Sequence, residues 1–289
     1  MVATPIGNLG DMTPRAVEVL QKADIIAAED TKTSMTLLTR FDIKTKLVSN
    51  HKFNEAGTAD YLIAELLAGK NIALISDAGT PCISDPGSVL IGRAIENESG
   101  IEVVGIPGPC AAALAVSVSG FEIKTFVFLG FFPRENGEIK KLAEKFNAEA
   151  GVYVFYQSPK RIVKTFEYLK ENLPECEICL CNDLTKKFER IYRGSPAKIL
   201  EQLQDNPSVE KGEYTIVANV AKIPERGGGI PAAPPGISAE SLIVEAMIAN
   251  KCTAKEAVNY LAADHSCNFG KNALYAAMLN LKKMFEDKN

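Results

Sequence analysis

Three turn-rich loops hold the residues best able to bind and react with a small molecule. The first, Thr4-Pro5-Ile6-Gly7-Asn8-Leu9-Gly10-Asp11, follows Val2-Ala3. The second, Ser76-Asp77-Ala78-Gly79-Thr80-Pro81, follows the apolar run Ile72 to Ile75 and continues into Ser84-Asp85-Pro86-Gly87. The third, Ile106-Pro107-Gly108-Pro109-Cys110-Ala111, follows the run that starts at Ile101. Gly79, Gly87 and Gly108 permit close backbone approach and positive φ, and Pro5, Pro81, Pro86 and Pro109 stiffen the turns. N–H groups at the start of a helix near Cys110 can receive a carboxylate or another anion. Asp77 and Asp85 can meet a cation or hydroxyl groups. That set suits a zwitterionic, ribose-bearing ligand better than a bare polyphosphate. There is no G-x-x-x-x-G-K-[ST] loop and no G-x-G-x-x-G fingerprint, so the P-loop and dinucleotide classes lose their main support.

Each loop sits where a strand should end and a helix begin, the edge of an open α/β sheet at which ligands bind. Thr13-Pro14 reads as an N-cap with proline in the first turn. Ile25 to Ala28 and Ile72 to Ile75 read as short strands, with a helix around Tyr61 to Ala68 between them. A helix through Val89 to Ile95 leads to a strand Ile101 to Ile106, and an alanine-rich helix runs from near Cys110 to Gly120. This alternation implies parallel pairing in a doubly wound layer. The pattern restarts with strands Phe126 to Phe131, Val152 to Tyr156, Ile178 to Cys181 and Tyr214 to Val220. Ser158-Pro159 and Ser195-Pro196 each cap a helix, the first running from Ile162 to Lys170 and the second to Leu203. The expected fold class is α/β: an N-terminal α/β domain over 1–121, a C-terminal α/β domain over 122–223, a Pro/Gly linker over 224–238 and a helical extension over 239–289. The extension reads as three short helices, with a capping box at Thr253-x-x-Glu256, and it is short enough to need a packing partner.

The bulk numbers bound the answer without naming it. The 289 residues suffice for two domains with cores of their own. A net charge of −4 gives no global basic footprint, so a nucleic-acid partner must be met by a local patch. No apolar run of about 18 residues is present, so no membrane span is expected. No basic-then-apolar signal segment opens the chain either, and the cytoplasm is the expected compartment. The seven cysteines are odd in number and scattered, which fits reduced thiols. Cys176, Cys179 and Cys181 read as small apolar side chains on a buried strand, and no metal site is expected.

The ordered series of motifs closely resembles one family. It comprises Ala3 to Asp11, Ala28-Glu29-Asp30-Thr31, Ile75 to Pro81, Ile83 to Gly87 and Ile106 to Pro109. Phe155-Tyr156-x-Ser158-Pro159-x-Arg161, Leu184-Thr185-Lys186 and Lys211-Gly212-Glu213 complete it. Residues 2–222 resemble the ribosomal RNA small subunit methyltransferase I family of the tetrapyrrole methylase superfamily strongly, and the tail does so more weakly. The resemblance implies two α/β domains with S-adenosylmethionine in the cleft between them. It also implies methylation of the ribose 2′-hydroxyl of a cytidine in small-subunit (16S) rRNA, a homodimer, and a helical tail that helps with RNA. The implied cofactor residues are Pro5, Gly7, Ser76, Asp77, Ala78, Gly79, Thr80, Ser84, Asp85, Pro107, Gly108, Pro109 and Tyr156. Family members normally have a few more residues before Val2, which leaves two readings open: a clipped first strand or a trimmed sequence.

The chain departs from the family pattern at Gln157 and Lys160, where glutamate and histidine are usual, at Asn182-Asp183 for Arg-Glu, and at Cys110 for serine. Gln157 cannot act as a base. Methyl transfer to a hydroxyl needs in-line approach to a sulfonium methyl, so positioning carries much of the rate, with a base taking the proton late. Glu29, Asp30 and Asp183 are the candidate bases and orienters. Lys186 is the candidate that stabilises developing oxyanion charge or pairs with phosphate. The competing structural reading of Glu29-Asp30-Thr31 is a helix N-cap, and that of Lys186-Lys187 is a solvated face.

RNA contact requires local positive charge. Candidate clusters are Lys140-Lys141, Lys160-Arg161-Lys164, Lys186-Lys187-Arg190-Arg193, and Lys271 with Lys282-Lys283, with Phe188 and Tyr192 as stacking aromatics in the third. Two other classes stay open: a tetrapyrrole-type methylase acting on a small molecule, and a non-catalytic binding module.

Overall fold

Short apolar runs alternate with helices through the first hundred residues, and this alternation implies parallel strands. The computed structural model describes residues 1–96, 100–220, 238–263, 267 and 269–286. In order come α1 (Pro14–Lys22), β1 (Ile25–Ala28), α2 (Thr31–Arg40), β2 (Lys46–Ser49), α3 (Glu55–Leu67), β3 (Ile72–Ile75), α4 (Ser88–Glu96) and α5 (Ala111–Val118). The strands pair in parallel in the order β2-β1-β3. The first loop's strand extends this sheet: Val2 N–H donates to Leu74 O at 2.9 Å and Ile106 N–H to Met1 O at 2.8 Å. The strand expected over Ile101 to Ile106 pairs only at Ile106, in a parallel bridge with Val2.

Both faces of this sheet are covered. Ile26, Ala28, Ala73 and Ile75 face Ala16 and Leu20 of α1 and Leu38 of α2. Ile25, Ala27 and Leu74 face Ala59 and Leu62 of α3 and Leu90 of α4. Thr13 accepts from Ala16 N–H at 3.1 Å, so the expected cap on α1 is present. The helix α2 and strand β2 lie outside the sequence reading. Thr-Lys-Thr-Ser-Met-Thr-Leu-Leu-Thr-Arg is rich in β-branched threonine, which lowers helix propensity, and its only start signal is the Asp30 cap.

The second sheet is built from β4 (Phe126–Phe131), β5 (Gly151–Gln157), β6 (Glu177–Asn182), β7 (Arg190–Gly194) and β8 (Tyr214–Val220), in the order β4-β5-β8-β6-β7. Only β4 and β5 pair in parallel; β8 pairs antiparallel with β5 and β6, and β6 antiparallel with β7. The restarted α/β alternation therefore holds only for the first pair. The segment 183–189 between β6 and β7 is too short for a parallel crossover, which needs a dozen or more residues. Three helices, α6 (Asn136–Ala148), α7 (Ile162–Asn172) and α8 (Pro196–Gln204), cover one face through Phe146, Phe166 and Ile199. Ser195 caps α8 by accepting from Lys198 N–H at 3.4 Å; Ser158 makes no such bond and opens a 3-10 turn, Pro159–Arg161, ahead of α7.

The other face of the second sheet is covered by a helix from earlier in the chain. Ala112 and Ala115 of α5 pack on Val152, Val154, Cys179, Cys181 and Val217, together with Ile6 of the first loop and Leu184. Helix α5 is thus the lid of the second sheet. The cysteines are free, with Cys176, Cys179 and Cys181 buried as expected. All of these elements fall within one unit, Met1–Lys222.

The described residues of the remaining unit form three helices, α9 (Ala239–Asn250), α10 (Ala254–Ala263) and α11 (Lys271–Glu286). Apart from Ser238, which caps α9, the Pro/Gly segment 224–238 lies outside the described residues. The capping box is closed: Thr253 N–H donates to Glu256 Oε2 at 2.8 Å and Glu256 N–H to Thr253 Oγ1 at 3.4 Å. Leu242, Ile243, Ala257, Val258 and Leu274 form a buried apolar cluster within this unit.

Candidate active site

Backbone hydrogen bonds join the three loops at the carboxyl ends of the first sheet's strands. Thr4 N–H donates to Gly79 O at 2.9 Å and Gly79 N–H returns to Thr4 O at 3.1 Å. Thr4 is fully buried and its hydroxyl donates to Ser76 O at 3.2 Å. Thr80 Oγ1 donates to Pro109 O at 3.0 Å, which ties the second loop to the third. Gly79 has φ +87°, and Gly87 has φ +131°, so both need glycine's freedom as expected. Gly108 does not take positive φ. Its glycine is needed for packing instead, because a Cβ there would lie 2.9 Å from Ala3 Cβ. Cys82 (φ +67°) and Ser84 (φ +70°) are left-handed without being glycine, and such backbone strain concentrates at binding sites. On β4, Gly130 (φ +70°) approaches the same loop, with space for a Cβ 3.6 Å from Ser84 Oγ.

A group of carboxylates stands at the tips of β1 and β3. Asp30 caps α2, accepting from Lys32 N–H at 2.7 Å and Thr33 N–H at 3.4 Å. Its own N–H donates to Asp77 Oδ1 at 3.0 Å. Burial, and then the charge of Asp77, raise the pKa of Glu29. Burial also raises Asp77, against the Asp30 N–H that it accepts. Asp85 is pushed up to about 7 by burial first and then by the charges of Glu29 and Asp77. Asp30 thus acts upward on Asp77, Asp77 on Glu29, and Glu29 and Asp77 on Asp85, the pattern of a site short of positive charge. His51, just past β2, acts on Glu29 in the opposite direction.

Tyr156 belongs to the second sheet and closes the third loop. Its hydroxyl accepts from Ala112 N–H at 3.3 Å, so one of the helix-start donors expected to await an anion already has a protein partner. Phe128 and Phe131 stand edge-on to the Tyr156 ring at 5.0 and 5.7 Å. Burial, and then Cys110, push the Tyr156 phenol up to about 12, so it stays a neutral donor.

Lys186 sits in the turn between β6 and β7. Its Nζ donates to Asp183 Oδ1 at 2.9 Å and to Glu213 Oε2 at 2.7 Å. Partial burial works against the ammonium, but the hydrogen bonds to Glu213 and Asp183 outweigh it and raise its pKa. The solvated-face reading therefore fails for Lys186. Gly212 (φ +82°) backs directly onto the Asp183 carboxylate, and Glu213 N–H donates to Asp183 Oδ1 at 3.2 Å. The Leu-Thr-Lys and Lys-Gly-Glu segments are thus one assembly, and Glu213 is a member that the sequence reading quoted without assigning it a role. Gly7 of the first loop lies on this turn: a Cβ there would overlap Lys186 Cγ and lie 3.2 Å from Leu184 O. No hydrogen bond or ion pair among the described residues links Lys186 to Glu29 or Asp30.

The basic clusters divide on inspection. Arg193 donates to Val118 O and Ser119 O at the end of α5, and Arg161 donates to Pro133 O at 2.7 Å. The Tyr192 hydroxyl accepts from Asn206 Nδ2 at 3.3 Å, and its ring packs on the core. Arg161, Arg193 and Tyr192 are therefore structural. Phe188 is 71% exposed, with Lys187 Nζ 5.5 Å from its ring centroid. A separate cavity of about 550 Å³, lined by residues such as Met1, Val19, Ile72, Leu90 and Val104, includes none of the candidate residues.

Comparison with known proteins follows the same lines. A family model described as Tetrapyrrole (Corrin/Porphyrin) Methylases matches residues 1–200. The ribosomal RNA small subunit methyltransferase I of Halalkalibacterium halodurans is 38% identical over 268 residues, covering 91% of this chain and 89% of that protein. The protein of the same name from Synechocystis sp. is 38% identical over 285 residues, covering 98% of this chain and 97% of its own. Among solved structures, the cobalamin biosynthetic enzyme cobalt precorrin-4 methyltransferase shares the fold, with a TM-score of 0.54 at 16% identity over 75% of this chain and 92% of that one. The chain belongs to the tetrapyrrole methylase family and, within it, to the ribosomal RNA small subunit methyltransferase I group.

Proposed function

We propose that this protein transfers a methyl group from S-adenosylmethionine to the ribose 2′-hydroxyl of a cytidine in small-subunit (16S) rRNA. One observation carries the cofactor assignment: three loops stapled into a backbone cradle beside carboxyl groups whose pKa values are raised. A ligand with a cationic sulfonium and ammonium relieves that crowding of negative charge, whereas a polyphosphate would worsen it. Pro5, Gly7, Ser76 to Thr80, Ser84, Asp85, Pro107 to Pro109 and Tyr156 would hold it. When bound, S-adenosylmethionine supplies an electrophilic methyl group. The substrate assignment follows the named activity of relatives that align along nearly the whole chain.

Glu29 is the group best suited to take the 2′-hydroxyl proton. Its raised pKa makes it a stronger base than an ordinary carboxylate, and its side chain has no cap to maintain. Asp30 orients the β1 tip through its cap and its link to Asp77. Lys186, kept charged by Asp183 and Glu213, stabilises negative charge on the acceptor or its phosphate. Phe188 and Lys187 offer an exposed aromatic and cationic pair for single-stranded RNA.

The division at 121/122 separates the two sheets of this unit, and the cofactor lies between them in this reading. The outer strand β4 exposes Phe126, Val127 and Phe131, which a second copy would cover in a homodimer. No described helix is long and apolar enough to cross a membrane, and a ribosomal substrate would be met in the cytoplasm. Labelled methyl transfer from S-adenosylmethionine is the test, with small ribosomal subunits and a porphyrin precursor offered in parallel. Label in RNA alone is the expected result; label in the porphyrin alone contradicts the proposal.

A further inference from the structure

Thr185 combines three features that the fold does not need. Its φ is +65°, in the left-handed region, where a β-branched side chain is a rare outlier. Its Oγ1 is buried and has no hydrogen-bond partner among the described residues, although its N–H donates to Glu189 Oε2 at 2.6 Å. Gly7 of the first loop is packed directly against it, with room for a Cβ only 3.0 Å from Oγ1. Glycine at 185 would remove the strain, and valine would remove the unpaired hydroxyl while keeping the shape. Backbone strain and unpaired buried polar groups persist where they serve a function.

We infer that Thr185 is a positioning residue that latches the first loop to the β6–β7 turn in the ligand-bound protein. The hydroxyl lies under Gly7, where that loop has no side chain to fill the space. A small shift of Gly7 or Asn8 as the loop closes on its ligand brings a backbone N–H onto Oγ1. The same latch sets the position of Lys186, whose Cγ also touches Gly7. The two halves of the active site are thereby joined at the moment of use. This rests on the reading that the first loop borders the methyl donor.

The test compares Thr185→Val, Thr185→Ser and Thr185→Gly in the full chain, by calorimetric binding of S-adenosylmethionine, methyl transfer to small subunits, and thermal unfolding of the free protein. Valine keeps the strain and the volume but cannot accept a hydrogen bond. The expected result is an unfolding temperature equal to or above the parent's, with affinity or turnover lowered about fivefold, the worth of one net hydrogen bond. Serine restores the loss. Glycine raises the unfolding temperature and still lowers turnover, so it decides the matter where valine fails to fold. Valine and glycine variants that match the parent in affinity and turnover overturn the latch, as does loss of stability in step with activity. A parent that binds no S-adenosylmethionine overturns the function and the latch with it.

Discussion

The amide N–H of Asp30 donates to Asp77 Oδ1 at 3.0 Å, which ties the tip of β1 to the tip of β3. Asp77 thus holds in place the residue that caps α2, besides standing in the second loop. Replacing Asp77 with alanine removes an acceptor and a negative charge together. We expect weaker S-adenosylmethionine binding from Asp77→Ala and little change from Asp77→Asn in the position of the loop. Calorimetry on both variants checks this, and unchanged affinity in Asp77→Ala removes Asp77 from the site.

Asp30 and Glu29 are separable by isosteric substitution. Asn caps helices about as well as Asp, whereas alanine loses about 1 kcal/mol. Asp30→Asn should therefore keep the stability of the parent, and Asp30→Ala should lower it by about that amount. Glu29→Gln removes the proposed proton acceptor without disturbing a cap, so it should reduce turnover more than either, with S-adenosylmethionine affinity retained. Steady-state rates on small subunits decide between them. A larger loss of turnover in Asp30→Asn than in Glu29→Gln would reassign the base.

Asp85 makes stability and binding respond to pH in opposite directions. Its pKa rises from 3.8 to about 7 in the folded protein. Between those values the folded state binds more protons than the unfolded one, so this group's contribution to stability falls as pH rises through the window. Asp85→Asn should raise the unfolding temperature of the free protein at pH 8 and have little effect at pH 4. A cationic ligand favours the ionised carboxylate, so S-adenosylmethionine affinity should increase as pH rises through about 7, with proton release on binding below it. Calorimetry in buffers of different ionisation enthalpy reads that release.

Ser34 is buried on α2, and its hydroxyl has no partner among the described residues. Ser34→Ala removes an unsatisfied polar atom and improves helix propensity. A gain of about 1 kcal/mol in unfolding free energy is expected, measurable by denaturant titration. A loss of stability would show that the hydroxyl makes a bond in solution.

Residues 239–289 carry six lysines and six acidic residues, so this unit has no bulk positive charge for phosphates. Its surface instead exposes Ile248, Tyr260 and Leu279. Deleting 239–289 should leave S-adenosylmethionine affinity intact, because the proposed cradle lies wholly in Met1–Lys222, and should lower methylation of subunits. Unchanged turnover would show the helical unit to be dispensable for substrate capture.

Local signals in the sequence were strong wherever apolar runs and caps coincide. Ile72–Ile75, Phe126–Phe131 and Tyr214–Val220 have the bounds that their β-branched and aromatic residues imply. The three loops stand out as a candidate site because Pro, Gly and Asp cluster after strands, and hydrogen bonds bring them together. What depends on pairing across distance was not legible. Lys186 meets Glu213 from 27 positions away, β8 inserts between β5 and β6, and α5 packs on the second sheet. Arg161 and Arg193 look like RNA-facing cations in the sequence, yet their guanidinium groups satisfy backbone carbonyls. Gly108 shows the same limit: its type signals a tight place, and only the fold shows that Ala3 is what it must clear.

The most direct test is mass mapping of 2′-O-methylated ribose in small-subunit rRNA from cells with and without this protein, with the Glu29→Gln form as a third arm. The account predicts one cytidine whose ribose methyl is lost on deletion, restored by the parent and not by Glu29→Gln. An unchanged rRNA methylation map on deletion would contradict it.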